Sequence, residues 1–221
     1  MQTQAMHFKS RASMKLADVR LQKNLKKLSE KFVTARAAAI AELDDFEATR
    51  EAAVERRNLA LSRLDVWLDT FERNAAARGA TVLYAESHEE ACRLIVDIGR
   101  KHGVTKATKS KSMVSEEIGL NKALAAAGIQ PVETDLGEYI LQINDNEPPS
   151  HIIAPVIHKD KEEISDLFAR MHGTARKTEI TDLTGEARAV LRSHFLSADM
   201  GISGANFLVA ETGTVALVTN E

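Results

Sequence analysis

Between residues 13 and 78 the chain contains neither glycine nor proline, and Gly79 is its first glycine. The same stretch is rich in Ala, Leu, Glu, Lys and Arg, the residues that lose least on entering a helix. It therefore predicts a long helical arm, with one helix over residues 15–32 and a longer one over 34–78. Leu61, Leu64, Leu68 and Phe71 recur at three- and four-residue steps and form an apolar stripe, with Trp67 beside it. Glu42, Asp44, Asp45, Glu47, Arg50, Glu51, Glu55, Arg56 and Arg57 read as its solvated face. A helix this long needs apolar surface to lie on. It is either a docking arm for a partner protein or a cover packed on its own domain.

Past Gly79 the texture changes. Thr81-Val82-Leu83-Tyr84-Ala85 reads as a short strand, and Ser87 with Glu90 three residues on reads as a capping box. Leu94, Ile95 and Ile98 face inward on the helix that follows, which closes at Lys101-His102-Gly103. Residues 104–107 form the next predicted strand, and Ser115 caps a helix that ends at Gly128. Residues 130–134 form the third strand. This alternation predicts a parallel sheet with helices on its faces. Pro148-Pro149 interrupts the chain, and residues 151–155 read as an edge segment because Pro155 cannot join a central ladder. Helices opening at Asp160 and Thr184 follow. The final stretch, 201–221, reads as a strand, a glycine turn and a second strand.

Composition excludes several classes. Net charge is -3 and aromatic content 5%, which supports neither a nucleic-acid field nor a base-stacking surface. Cys92 is the single cysteine, so the chain alone makes no disulfide and holds no four-cysteine zinc or iron–sulfur site. It lies on an amphipathic helix and reads as a packed core thiol. The first ten residues lack an apolar signal region, and no apolar run reaches about 18 residues. The expected location is the cytoplasm, with no membrane span.

Ligands of parallel α/β sheets sit at the carboxyl ends of strands, so polar residues there carry the information. Lys106, Lys109 and Lys111 with Ser110 and Ser112 precede a helix start whose first turn holds Glu116 and Glu117. They form either an anion site or a solvated basic loop with a serine cap. Glu133, Asp135 and Glu138 follow the third strand. They bind a cation, perform acid–base work or pair with the lysines, with Asp135 as a helix cap. His151 and His158 flank the Pro155 turn without a tight metal spacing, and read as capping or anion-facing imidazoles or as ligands. Asp199, Asn206 and Glu211 belong to the glycine-rich terminal motif. Glu211, at a strand-to-turn corner, is the candidate nucleophile or base, or else ties down the turn.

Five motifs together resemble one family. They are Lys109-Ser110-Lys111-Ser112-Met113 with Ser115 to Asn121, Glu133-Thr134-Asp135-Leu136-Gly137-Glu138-Tyr139, and Pro149-Ser150-His151 with Pro155 and His158. The others are Ala198-Asp199-x-Gly201 through Asn206-Phe207, and Val209-Ala210-Glu211-Thr212-Gly213-Thr214. In this order and spacing they resemble the lactate utilization protein B family, whose LUD domain precedes a ferredoxin-like iron–sulfur region. The resemblance covers residues 81–221. It implies an α/β three-layer sandwich of the NagB/RpiA/CoA-transferase-like kind, with a helical arm over 1–78 and a LUD domain over 79–221. It also implies an electron-transfer subunit that works with sister subunits in oxidising L-lactate to pyruvate. The family's [4Fe-4S] clusters use cysteines beyond the LUD domain, so this chain is expected to bind none and to be a C-terminally truncated, non-catalytic portion. Two alternatives accompany this expectation. One is a CoA-transferase-like module, or one that binds a small anionic metabolite. The other is a scaffold that docks partner subunits.

Overall fold

The computed structural model describes residues 5–151 and 154–218. These fall into two units. One comprises the residues up to Lys15 with Tyr84–Gly204, and the other Leu16–Leu83 with the stretch from Ala205.

Four α-helices, not two, occupy the described part of the breaker-free region: α1 (Phe8–Ala17), α2 (Val19–Ala41), α3 (Phe46–Ser62) and α4 (Leu64–Ala76). Aspartates make two of the breaks. Asp18 leaves helical geometry and accepts from Leu21 N, and Asp45 does the same for Ala48 N. A short carboxylate that captures an orphan N–H ends one helix and begins the next without glycine or proline. Asp45 is thus a cap as well as a solvated acid. The third break, at Arg63, divides the Leu61–Phe71 stripe between α3 and α4. Leu61 and Leu64 are exposed while Phe71 is buried, so the stripe is not one continuous packed face.

In the second of these units the chain from Ala205 forms the antiparallel hairpin β4 (Phe207–Val209) and β5 (Thr214–Ala216). Its turn is tied to the end of α4. Asn74 Nδ2 donates to the carbonyls of Ala210 (2.8 Å) and Glu211 (3.0 Å), and Arg78 Nε donates to that of Thr212 (2.6 Å). Gly213 adopts φ +65°, and a Cβ there would stand 2.3 Å from Ala75 N. Backbone meets backbone at this point, so only glycine fits.

The larger unit contains α5 (His88–Lys101), β1 (Lys106–Lys109), α6 (Met113–Glu117), α7 (Leu120–Ala126) and β2 (Gln130–Glu133). These are followed by α8 (Leu136–Ile143), α9 (Lys161–His172), α10 (Ile180–Ser197) and β3 (Met200–Ile202). The strands form a parallel sheet in the order β2-β1-β3. Pro131 is tolerated because β2 is an edge strand. Ala107 packs with Cys92, Val96, Leu120, Leu124 and Ile129 from α5, α7 and the strand approach. Val132 packs with Tyr139, Ile140, Leu167, Phe168, Leu183 and Leu191 from α8, α9 and α10. Helices therefore cover both faces of a small parallel sheet, as the alternation predicts. Cys92 Sγ donates to Ile118 O at 3.3 Å, and burial raises its thiol pKa, the behaviour of a core cysteine.

Several boundaries differ from expectation. The strand expected over residues 81–85 does not form. Leu83 and Tyr84 are exposed, so this apolar run has no buried face to pair on. The helix expected from Ser115 to Gly128 is two helices, broken where Gly119 takes φ +69°, and Ser112 rather than Ser115 caps the first. The next strand lies two residues later than expected, at Lys106–Lys109. α10 begins at Ile180, four residues before Thr184. Within the edge segment expected over 151–155, residues 152 and 153 lie outside the described residues, as do the last three of the terminal strand pair.

The Gly213 contact yields a test. Gly213→Ala destabilises the protein by about 2–4 kcal/mol, from positive φ plus overlap with the α4 backbone. Gly99→Ala costs less, because its Cβ meets the flexible end of Ile129 at 2.7 Å. Urea denaturation of the two variants measures the difference.

Candidate functional site

The carboxyl ends of β1, β2 and β3 meet through backbone bonds. Ser110 N donates to Ile202 O (2.9 Å), and Thr134 N and Oγ1 donate to Lys109 O (2.9 and 3.1 Å). Ser110 Oγ donates to Ser203 Oγ at 2.9 Å. Gly204 lies so close that a Cβ there would stand 3.1 Å from Lys111 O. Two lysine-centred clusters stand on this edge.

The inner cluster surrounds Lys109, whose side chain is 1% exposed. As the last residue of the central strand it points to the same face as Ala107, under α6 and α7. Its Nζ donates to Glu116 Oε1 (2.6 Å), Glu133 Oε1 (2.9 Å) and Ser115 Oγ (3.2 Å). Ser115 Oγ in turn donates to Ser112 O, and Ser112 Oγ accepts from Ser115 N. Asn121 Nδ2 donates to Glu133 Oε1 at 2.6 Å, and Gln142 Oε1 accepts from Glu133 N at 3.0 Å. Desolvation opposes the Lys109 ammonium, but Glu116 and Glu133 outweigh it and hold Lys109 above the usual lysine range. Desolvation likewise pushes Glu133 up, against the pull of Lys109 and Asn121.

The outer cluster is partly open. Lys111 Nζ donates to Glu138 Oε1 (3.0 Å) and Oε2 (3.2 Å) and lies 3.3 Å from Asp135 Oδ2. Asp135 Oδ1 caps α8 by accepting from Gly137 N and Glu138 N. Burial, and then Asp135 beside it, raise Glu138 to about 7 despite Lys111. A carboxyl of this kind suits acid–base work near neutral pH.

Of the residues singled out from sequence, Lys109, Lys111, Ser112, Glu133, Asp135 and Glu138 are brought together here. Asp135 is the expected cap, and both lysines pair with carboxylates. Lys109 is a buried strand residue, not part of a solvated basic loop. Glu117 is exposed on α6 beside the inner cluster. Asp199 stands at the other end of β1, where its Oδ2 accepts from Thr105 N, Thr105 Oγ1 and Lys106 N; these bonds hold it below the usual carboxylate range. His158 Nε2 is 2.9 Å from Glu147 Oε1, which shares its carboxylate with Lys159, and His151 Nδ1 accepts from Ala154 N. Asn206 and Glu211 belong to the other unit. Asn206 Oδ1 accepts from Val218 N, and Glu211 sits exposed in the β4–β5 turn.

Sequence reasoning missed a buried chain: Tyr139 OH lies 2.9 Å from His172 Nε2, and His172 Nδ1 2.8 Å from Glu186 Oε1. Burial alone would raise Glu186, but Thr174, His172 and Lys177 outweigh it and bring it to about 2. Its members lie on α8, α9 and α10, and no local spacing announces them. Among the described residues no group of three or more His, Cys, Asp or Glu side chains is arranged to hold a metal ion. No described helix is long and apolar enough to cross a membrane.

Two predictions follow the geometry. Lys109→Met lowers stability by about 2–4 kcal/mol because buried acceptors lose their donor. Lys111→Met costs less, because its side chain is 27% exposed and water partly reaches the carboxylates it leaves. Urea midpoints distinguish the pair. Glu138 rises from 4.5 to about 7 on folding, so its stabilising contribution is complete below 4.5 and lost as pH passes 7. Glu138→Gln removes that loss, and its melting temperature relative to the unsubstituted protein rises across this interval.

Comparison with known proteins places these clusters in a family. The chain is 45% identical to Lactate utilization protein B of Bacillus licheniformis over 97% of its own length and 45% of the relative's. It is 42% identical to the protein of that name from Lysinibacillus sphaericus, over 100% of this chain and 46% of the relative. For Bacillus subtilis the identity is 44% over 97% and 45%. The chain thus spans less than half the length of these relatives. No solved structure matches it. The LUD domain matches residues 68–221, more than half of the chain and inclusive of every residue of both lysine clusters, and the chain belongs to the LUD-domain family.

Proposed function

We propose that this chain is the LUD-bearing portion of a lactate utilization subunit that takes part in oxidising L-lactate to pyruvate. The observation that carries this reading is 42–45% identity, along nearly the whole chain, to proteins named Lactate utilization protein B. On this reading the subunit passes electrons through [4Fe-4S] clusters and works with sister subunits in the cytoplasm. The chain's one cysteine is buried against Ile118 O, so the cluster thiolates come from residues of the full-length protein outside this chain. We further take residues 79–221 as LUD domain of the NagB/RpiA/CoA-transferase-like three-layer type and residues 1–78 as its helical arm. Helices on both faces of the parallel sheet support that assignment.

The test is genetic and spectroscopic. Deleting the full-length gene abolishes growth on L-lactate as sole carbon source, and the intact gene restores it. Undiminished growth of the deletion strain refutes the lactate role. The full-length protein, purified without oxygen, contains iron and sulfide and gives an electron paramagnetic resonance signal on reduction. Iron-free protein that still complements growth removes the electron-transfer role alone.

A second reading, that the arm docks a partner subunit, is supported by its exposed apolar side chains. Val54, Leu59, Leu61 and Leu64 are all exposed on α3 and α4. Leu61→Glu with Leu64→Glu then breaks co-purification of the sister subunits while leaving the melting temperature unchanged. Intact co-purification removes this reading.

A further inference from the structure

The inner lysine cluster lacks one hydrogen. Lys109 commits all three ammonium hydrogens, to Ser115 Oγ, Glu116 Oε1 and Glu133 Oε1. Glu133 Oε1 also accepts from Asn121 Nδ2. Two buried oxygens are left with no hydrogen-bond donor among the described residues: Glu133 Oε2 and Asn121 Oδ1. They are the unused halves of one carboxyl–amide pair. A buried acceptor without a donor is strongly disfavoured, and a pair of them calls for a shared donor.

Charge leads to the same place. The groups that face the Glu133 side chain are Lys109 from β1, Glu116 from α6 and Asn121 from α7, while Gln142 from α8 takes only its backbone N–H. One ammonium therefore faces two carboxylates, and the cluster is one unit negative if both are ionised. Glu116 is 37% exposed and can keep its charge in contact with water, whereas Glu133 is 5% exposed. The surplus charge rests on the group least able to hold it.

We propose that Glu133 is a proton-binding residue of this site, held as a neutral carboxyl whose Oε2–H donates to Asn121 Oδ1 while Asn121 Nδ2 donates back to Oε1. One hydrogen then satisfies both orphaned oxygens, and Lys109 and Glu116 neutralise each other. Proton uptake and release balance as Glu133 carboxylate plus one proton from water giving the neutral acid. Desolvation of Glu133, reinforced by the charge of Glu116, acts in the same direction. The function so assigned is that of an acid stored at the carboxyl edge of the sheet. It does not depend on the lactate reading, and its readouts are independent of lactate.

The direct test is a carbon-13 titration of the full chain, following the side-chain carboxyl of Glu133 assigned from its backbone. Glu133 is expected to titrate above ordinary glutamate and to remain protonated at neutral pH. Its curve is told from that of Glu138 by its persistence in Glu138→Gln. A Glu133 signal already ionised at neutral pH overturns the proposal, and is the result expected if a water molecule bridges the two oxygens instead. Glu133→Gln, the amide mimic of the neutral acid, supplies a second readout. A folded value raised above the unfolded one gives stability that is present at low pH and lost as pH rises. The Gln variant is therefore expected to fold, and to gain melting temperature relative to the unsubstituted protein as pH rises. A variant that fails to fold, or melts lower by the same margin at every pH, has lost an ionised partner of Lys109 and refutes the neutral carboxyl.

Discussion

The larger unit is built around an ammonium group buried at the end of its central strand. Removing Lys109 from water costs several kcal/mol unless its hydrogens meet acceptors of good geometry. Those acceptors come from two directions, Glu133 on β2 and the Ser115–Glu116 pair on α6. α6 therefore cannot drift from the strand end, although five residues give it little stability of its own. Ser112 Oγ fixes the first turn of α6 and Ser115 Oγ bonds back to Ser112 O, so the helix start and the lysine's third acceptor are set by the same two serines. Lys109 O completes the arrangement by accepting twice from Thr134, which ties β2 to β1 beyond the end of the ladder.

The same placement changes what this edge can do. Two lysines on a strand-to-helix turn suggest an anion site. Here each lysine is matched to its own carboxylates, Lys109 to Glu116 and Glu133 and Lys111 to Asp135 and Glu138. Only with every carboxyl ionised do four acids face two bases, and an anionic metabolite must first displace Asp135 and Glu138 from Lys111. Burial shifts both Glu133 and Glu138 toward their neutral forms, which is the property the proposed proton-binding role of Glu133 draws on.

The alternation of strand and helix was legible in the sequence, as were the helix caps at Ser87, Asp135 and Asp160, because caps and periodicity are local signals. The breaks at Asp18 and Asp45 were hidden because a run without glycine or proline looks continuous, while an aspartate ends a helix through one hydrogen bond. Residues 81–85 misled for the opposite reason: Val, Leu and Tyr favour a strand, but a strand also needs a neighbour to pair with. The two-residue shift of β1 decided the site. Placed in a loop, Lys109 is a solvated cation. Placed as the last strand residue, it is a buried one. The Tyr139–His172–Glu186 chain joins three helices and has no sequence spacing to betray it.

The paired strand edge and the helical arm bear differently on the proposed role. L-lactate and pyruvate are carboxylates, and both lysines at this edge are already matched to carboxylates of the chain itself. The larger unit supplies a strand edge whose lysines and acids pair internally, while the smaller one carries exposed leucines on α3 and α4 and a hairpin tied to α4 through Asn74 and Arg78. Gly213 is what lets that hairpin turn lie directly on the helix backbone. The two units thus present different chemistry on one chain, a charged and internally paired strand edge in one and an apolar helical surface in the other. On the proposed reading, the first belongs to proton handling and the second to assembly.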